Sequence, residues 1–196
     1  MSIILVAGLG NPGRGYARSR HNLGWWVVDA LARKRGLTWR AEPAFDAEIA
    51  RWDAAPGGAR WLVKPQTFMN DSGRAIGALA RFRKLEPAQI AAVYDDLTLE
   101  VGRLKVTVSG SSGGHNGVAS LLEHVGDGFA RYRLGIGPRQ PPQMDLKDFV
   151  LTEFSPEQLV IIEQKLDSYV QGLELLLERG ADQAMNQLNR KETTSS

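Results

Sequence analysis

The alternation of apolar and polar positions divides the chain into short buried strands and amphipathic helices. Residues 3–8 form a continuous apolar run ended by Gly8 and Gly10, the pattern of a strand buried on both faces. From Leu23 the period lengthens. Leu23, Trp26, Val27, Ala30 and Leu31 share one helical face, and Gly36 follows Arg33-Lys34-Arg35 as a stop. Residues 45–52 and 59–64 read as two strands joined by the turn-forming Ala55-Pro56-Gly57-Gly58. A second helix begins near Asn70-Asp71-Ser72 and turns Ile76, Leu79 and Ala80 inward. Residues 89–94 and 103–108 are further strands. After the small-residue loop 110–114 comes a helix with Val118, Leu121, Leu122 and Val125 on one face. Residues 131–136 are strand-like, and 138–143, with three prolines, form a loop.

The last long element is the most explicit. Ser155-Pro156-Glu157-Gln158 is a capping box with proline at the first helical position. Leu159, Ile162, Leu166, Tyr169, Val170, Leu173 and Leu177 mark its apolar face as far as Gly180, and a short helix over 182–188 follows. Strands alternating with helices predict an α/β layer fold, and the hairpin at 45–64 makes its sheet mixed. A length of 196 residues predicts one domain, 1–196, with 191–196 as a disordered tail.

Composition narrows the chemistry. With 43% apolar and 23% charged residues the chain is too hydrophobic to be disordered as a whole. It contains no cysteine, which excludes a disulfide scaffold, a thiolate metal site and a thiol nucleophile. The N-terminal apolar run is too short for a signal core or a membrane helix, so a cytoplasmic protein with no membrane partner is expected. Net charge is only +2, yet residues 1–140 hold 19 Lys and Arg against 12 Asp and Glu, while residues 141–196 hold 5 against 10. Such an asymmetry fits either a polyanionic partner for the first part of the chain or an unevenly solvated surface.

Two motifs match on paper and fail in context. Gly8-Leu9-Gly10-Asn11-Pro12-Gly13 satisfies the dinucleotide pattern, but helical periodicity waits until Leu23 and the acidic residue expected about 20 positions on would be Asp29, inside a helix. Gly110-Ser111-Ser112-Gly113-Gly114 satisfies the serine elbow. That fold needs an acid and then a histidine downstream, and here only the adjacent Glu123 and His124 follow in that order. The three histidines lack zinc-ligand spacing, so no metal is expected. His124, beside Glu123, reads as a surface residue.

What survives is a set of polar residues at predicted strand ends, where α/β sheets bind ligands. Asn11 follows the first strand, Asn70 follows the strand ending at Lys64, Asp95-Asp96 follows residues 90–94, and His115-Asn116 follows the glycine loop. His21 joins them at the start of the first helix. There it either caps the helix or acts as a base, kept neutral by the helix dipole and oriented by Asp95, with water as the nucleophile. Asn11, Asn70 and Asn116 are either turn residues or donors to a carbonyl oxygen that gains charge. Phe68 and Met69 line an apolar wall or pack in the core.

Three segments carry a resemblance: Tyr16-x-x-x-Arg20-His21-Asn22-x-Gly24, Lys64-Pro65-x-Thr67-Phe68-Met69-Asn70, and Gly110-Ser111-x-Gly113-Gly114-His115-Asn116-Gly117. With the Gly8–Gly13 segment before them and Asp95-Asp96-Leu97 between the second and third, in order, the chain resembles bacterial peptidyl-tRNA hydrolase from about residue 3 to residue 190. The resemblance implies a three-layer αβα fold around a mixed, twisted sheet, in a monomeric, cofactor-free enzyme that cleaves the ester joining a peptide to the terminal ribose of tRNA. It implies His21 as catalytic base and Asp95 as its partner, with Asn11, Asn70 and Asn116 binding substrate and Tyr16, Met69 and His115 lining the site. The family often carries two alternating basic residues before the glycine loop; here Lys105 has the charge and Thr107 does not, so a phosphate contact rests on Lys105 and Arg133. DNA is not an expected partner. A tRNA- or RNA-binding protein of the same fold without catalysis is the main alternative, and a nucleotide-dependent oxidoreductase a more distant one.

Overall fold

A computed structural model describes residues 1–53, 55 and 57–190; the tail 191–196 and Pro56 of the predicted turn lie outside the described residues. Seven strands form one sheet in the order β2-β3-β4-β1-β5-β7-β6. They are β1 (Leu5–Gly8), β2 (Arg40–Glu42), β3 (Ala47–Trp52), β4 (Arg60–Pro65), β5 (Ile90–Glu100), β6 (Leu104–Thr107) and β7 (Ala130–Gly137). The four central strands β4, β1, β5 and β7 run parallel, while β2, β3 and β6 pair antiparallel at the two edges. The sheet is therefore mixed, as the hairpin signal predicts.

Alternation along the central strands sorts side chains into two cores. Val6, Leu62, Ala91 and Val93 face α1 (Leu23–Lys34) and α5 (Pro156–Leu188). Leu5, Ala7, Val63, Ala92 and Tyr94 face α2 (Ser72–Arg83) and α3 (Asn116–His124). Because β1 is buried on both faces, its sequence is an unbroken apolar run rather than an alternating one. The three-layer αβα arrangement follows from these two cores. A short helix, α4 (Leu146–Leu151), precedes α5, and α5 is broken at Gly180, whose φ of 81° separates the two helices expected on either side of it.

Three sequence expectations change. The hairpin at 45–64 is a three-stranded edge, because the exposed β2 pairs with β3, and residues 43–45 form a 3-10 turn instead of the start of a strand. Strand β5 runs past Tyr94 to Glu100, so Asp95 and Asp96 sit within it, opposite Leu134 and Gly135 of β7. Gly135 permits this continuation, since a Cβ there would lie 1.9 Å from the Glu100 carbonyl oxygen. The edge strand β6 is closed from the C-terminal side. The Asn189 side chain accepts from Val106 N (2.7 Å) and donates to Val106 O (2.8 Å).

Candidate active site

The parallel strands β4 and β1 end side by side, at the point where β5 runs on beyond Val93 paired only with β7, and the chain passes from β1 to one flank of the sheet before returning to the other at β5. A crevice opens at such a switch point. Asn11 lies beyond β1 and Met69 beyond β4, while Asp95 comes from β5. Ser72 and α2 take up the chain after Met69. His21 reaches the same place because Arg20–Asn22 forms a 3-10 turn directly before α1. That helix lies close against the sheet: a Cβ on Gly24 would come within 2.2 Å of the Val93 carbonyl oxygen. The glycine of the His-Asn-x-Gly segment is thus what lets the His21 turn approach β5.

His21 and Asp95 are 7% and 2% exposed. Nδ1 of His21 lies 2.9 Å from each carboxylate oxygen, and Nε2 of His115 lies 3.0 Å from Oδ1. The tautomers follow from the other ends of the rings. His115 caps α3, its Nδ1 accepting from the backbone N–H groups of Gly117 (3.1 Å) and Val118 (3.3 Å). An acceptor nitrogen carries no proton, so His115 donates to Asp95 through Nε2. With the carboxylate ionised, His21 donates through Nδ1, which leaves its Nε2 as a lone-pair acceptor.

Burial alone would raise the pKa of Asp95, but the two imidazoles and their hydrogen bonds outweigh it and hold the carboxyl well below the usual range. For His21, burial lowers the pKa; the charge of Asp95 and its hydrogen bond win, and the net shift is upward from 6.5. This corrects the expectation that the helix N-terminus decides the balance and keeps His21 neutral by lowering its affinity for protons. His21, Asp95 and His115 also offer three potential metal-ligand atoms within 4.8 Å of one another. As arranged, His115 Nε2 spends its proton on Asp95 and has no lone pair for an ion, so the donor chemistry fits a hydrogen-bond relay.

Asn11 is oriented on both sides. Its Oδ1 accepts from Met69 N (2.7 Å), while its backbone is held by Asn22, whose side chain accepts from Asn11 N (2.9 Å) and donates to Asn11 O (3.0 Å). The Asn11 amide nitrogen is left with no protein acceptor among the described residues. Asn22 is the residue that sequence reasoning quoted without a role; its place next to His21 was the available signal.

A cavity of about 550 Å³ opens beside His21, lined among others by Asp95, Asn116, Arg133, the loop 109–115, and Leu146, Lys147 and Val150 of α4. Asn11, Tyr16, Phe68, Met69 and Asn70 form a second group outside that lining. Tyr16 and Phe68 meet edge-on with ring centroids 6.2 Å apart, and Met69 is buried while Asn70 is exposed. Lys105 and Arg133 are cross-strand neighbours on β6 and β7. Lys105 is exposed, whereas Arg133 donates through Nε to Asp96 (2.6 Å), a pair that sequence reasoning missed. Opposite Thr107 stands Arg131, buried and committed to the carbonyl oxygens of Gly110 and Ser111. It does not replace the missing charge. Ser112 Oγ accepts from Gly114 N–H (3.4 Å) and has no histidine partner, so the serine elbow is absent.

Comparison with known proteins now decides the family. Residues 5–196 match the family model described as peptidyl-tRNA hydrolase. The chain belongs to the peptidyl-tRNA hydrolase family. It is 46% identical over 188 residues to the peptidyl-tRNA hydrolase of Anaeromyxobacter dehalogenans, covering 95% of this chain and 96% of the relative. It is 41% identical over 192 residues to that of Gloeobacter violaceus, covering 97% and 96%. The crystal structure of peptidyl-tRNA hydrolase from Acinetobacter baumannii superposes with a TM-score of 0.88 at 34% identity, over 95% of this chain and 94% of that one. The fold is thus that of a peptidyl-tRNA hydrolase.

Proposed function

We propose that this chain hydrolyses the ester between a peptide, or an N-acyl-aminoacyl group, and the terminal ribose of tRNA, with His21 as the general base. Membership of the peptidyl-tRNA hydrolase family supports the reaction. The observation that carries the residue roles is the hydrogen-bond chain Gly117/Val118–His115–Asp95–His21, because it leaves Nε2 as the proton acceptor of His21, a residue that borders the cavity. His21 Nε2 takes a proton from water while the water oxygen forms a bond to the ester carbonyl carbon. Negative charge on the carbonyl oxygen is met by the free amide of Asn11. The tetrahedral intermediate then expels the ribose oxygen, which receives the proton from the His21 imidazolium. The products are a peptide carboxylic acid and tRNA with a free terminal hydroxyl.

Asp95 orients the base and stabilises its protonated form. Asn70 and Asn116 serve as substrate contacts, with Tyr16, Phe68, Met69 and His115 bordering them. Lys105 is the better of the two phosphate contacts, since its ammonium has no carboxylate within ion-pair distance among the described residues. Arg133 already spends its Nε on Asp96, which leaves fewer donors for a phosphate. No helix among the described residues is long and apolar enough to cross a membrane. On this reading the chain acts on tRNA as a monomer in the cytoplasm. Single-turnover release of peptide from peptidyl-tRNA tests the proposal. His21→Ala should slow release on the order of 10²–10⁴-fold, and a variant as fast as wild type leaves only the non-catalytic, RNA-binding reading.

A further inference from the structure

Arg20, one residue before the base, is 7% exposed and has no carboxylate within ion-pair distance among the described residues. Burial lowers its pKa. A buried cation without a counter-ion is costly, so its surroundings must compensate in another way. Its guanidinium carbon lies 4.6 Å from the centroid of the Phe149 ring and 4.8 Å from that of Phe154. Nε donates to Thr152 Oγ1 (3.0 Å) and Nη1 to Gln158 Oε1 (2.8 Å), while the backbone N–H of Arg20 donates to Thr152 O (2.9 Å). Every one of these partners belongs to α4 or to the junction and first turn of α5.

The junction matters because α4 has little else to hold it. It is six residues long and buries only Phe149. Its principal packing partner among the elements is the 3-10 turn Arg20–Asn22. The same short helix supplies Leu146, Lys147 and Val150 to the cavity beside His21. One guanidinium, stacked on two rings and donating to two separate side chains, therefore joins a wall of the cavity to the turn that carries the base. A planar fork makes both bonds at once; a lysine ammonium cannot reproduce that geometry.

We propose that Arg20 is a positioning residue that fixes the width of the cavity by fastening α4 to the His21 turn. The role in turnover rests on the function proposed above; the fastening of α4 does not. Arg20→Met keeps an apolar stem between the two rings and removes all donors. Hydrogen exchange of amides 146–151 should accelerate about tenfold or more, since two hydrogen bonds from a charged donor are lost and either alone carries about that weight, while β1 and β5 amides keep their rates. KM for peptidyl-tRNA should rise by a similar factor of about ten with kcat near its wild-type value, the signature of lost uniform binding. Arg20→Lys should recover part of both effects. Thr152→Val removes the acceptor for Arg20 Nε together with the hydroxyl's own donation to Phe149 O (2.6 Å); combined with Arg20→Lys it should add less than the sum of the two single effects, and that shortfall carries the test if Arg20→Met does not fold. Unchanged exchange at 146–151, acceleration spread equally over β1 and β5, or a fall in kcat with KM unmoved would each overturn the assignment. If wild type released no peptide, the proposed function would fail while the exchange measurements still judged the fastening.

Discussion

Replacing Asp95 with asparagine tests the tautomer chain most directly. The side chain is buried and receives two N–H donors, from His21 and His115. Asparagine offers one acceptor oxygen and one amide that only donates. His115 cannot yield, because Gly117 and Val118 already fix its proton on Nε2, so it claims the oxygen. The new amide then faces His21 Nδ1, which must become the acceptor and send its proton to Nε2. The base is lost without any change in shape. A wrong tautomer of this kind costs on the order of 10³–10⁴ in rate, or about 4–5.5 kcal/mol of transition-state stabilisation. The assay is single-turnover peptide release across pH, with thermal unfolding as a check on the fold. In wild type the rate should rise with pH as His21 loses its proton, with a midpoint above 6.5 because Asp95 raises that pKa. In Asp95→Asn that support is gone, so the residual activity should show an acid limb at lower pH. A variant within about tenfold of wild type, or one whose acid limb stays where it was, would refute the reasoning.

Other perturbations separate the remaining roles. Lys105→Ala should weaken tRNA binding and reduce the slope of log K against log salt by about 0.7–0.9, one phosphate contact, while hydrolysis of a small N-acyl ester is unaffected; an unchanged slope measured by filter binding would remove Lys105 from the tRNA surface. Ser112→Ala should leave peptide release at its wild-type rate, whereas loss of a serine nucleophile costs on the order of 10⁶, so single-turnover kinetics decide between water and serine. Gly24→Ala should destabilise the fold by more than about 3 kcal/mol, since its Cβ meets backbone rather than a yielding side chain; chemical denaturation with wild-type stability would show that α1 can move off the sheet.

Sequence patterning located the long, strongly periodic elements because burial on one or two faces dictates their residues. α1, α2 and the capped start of α5 are of this kind. It missed β2, whose Arg40–Glu42 are all exposed and carry no hydrophobic signal, and α4, where one buried phenylalanine in six residues cannot establish a period. Asp95 was placed after a strand because charge in a buried strand is unexpected; pairing to β7 and two histidine donors make it tolerable. The candidate residues were singled out by polar positions following apolar runs and by the family segments. The electrostatic balance at His21 was not, because it depends on a contact across 74 positions of sequence. Nor was Arg20's part, for the side chains that accept its hydrogen bonds lie 132 and 138 residues away.

Asn189 makes the end of α5 useful to the sheet. By supplying both an acceptor and a donor to Val106, one amide side chain imitates the neighbouring strand that β6 lacks. An open edge is a template for the edge of another molecule, and stacking of that kind ends in aggregates. The strand so shielded is also the one that bears Lys105, so self-association there would hide a proposed RNA contact. A proteolytic clip a few residues upstream of Asn189 would therefore endanger solubility and tRNA access together, although the cut lies on a different element from His21.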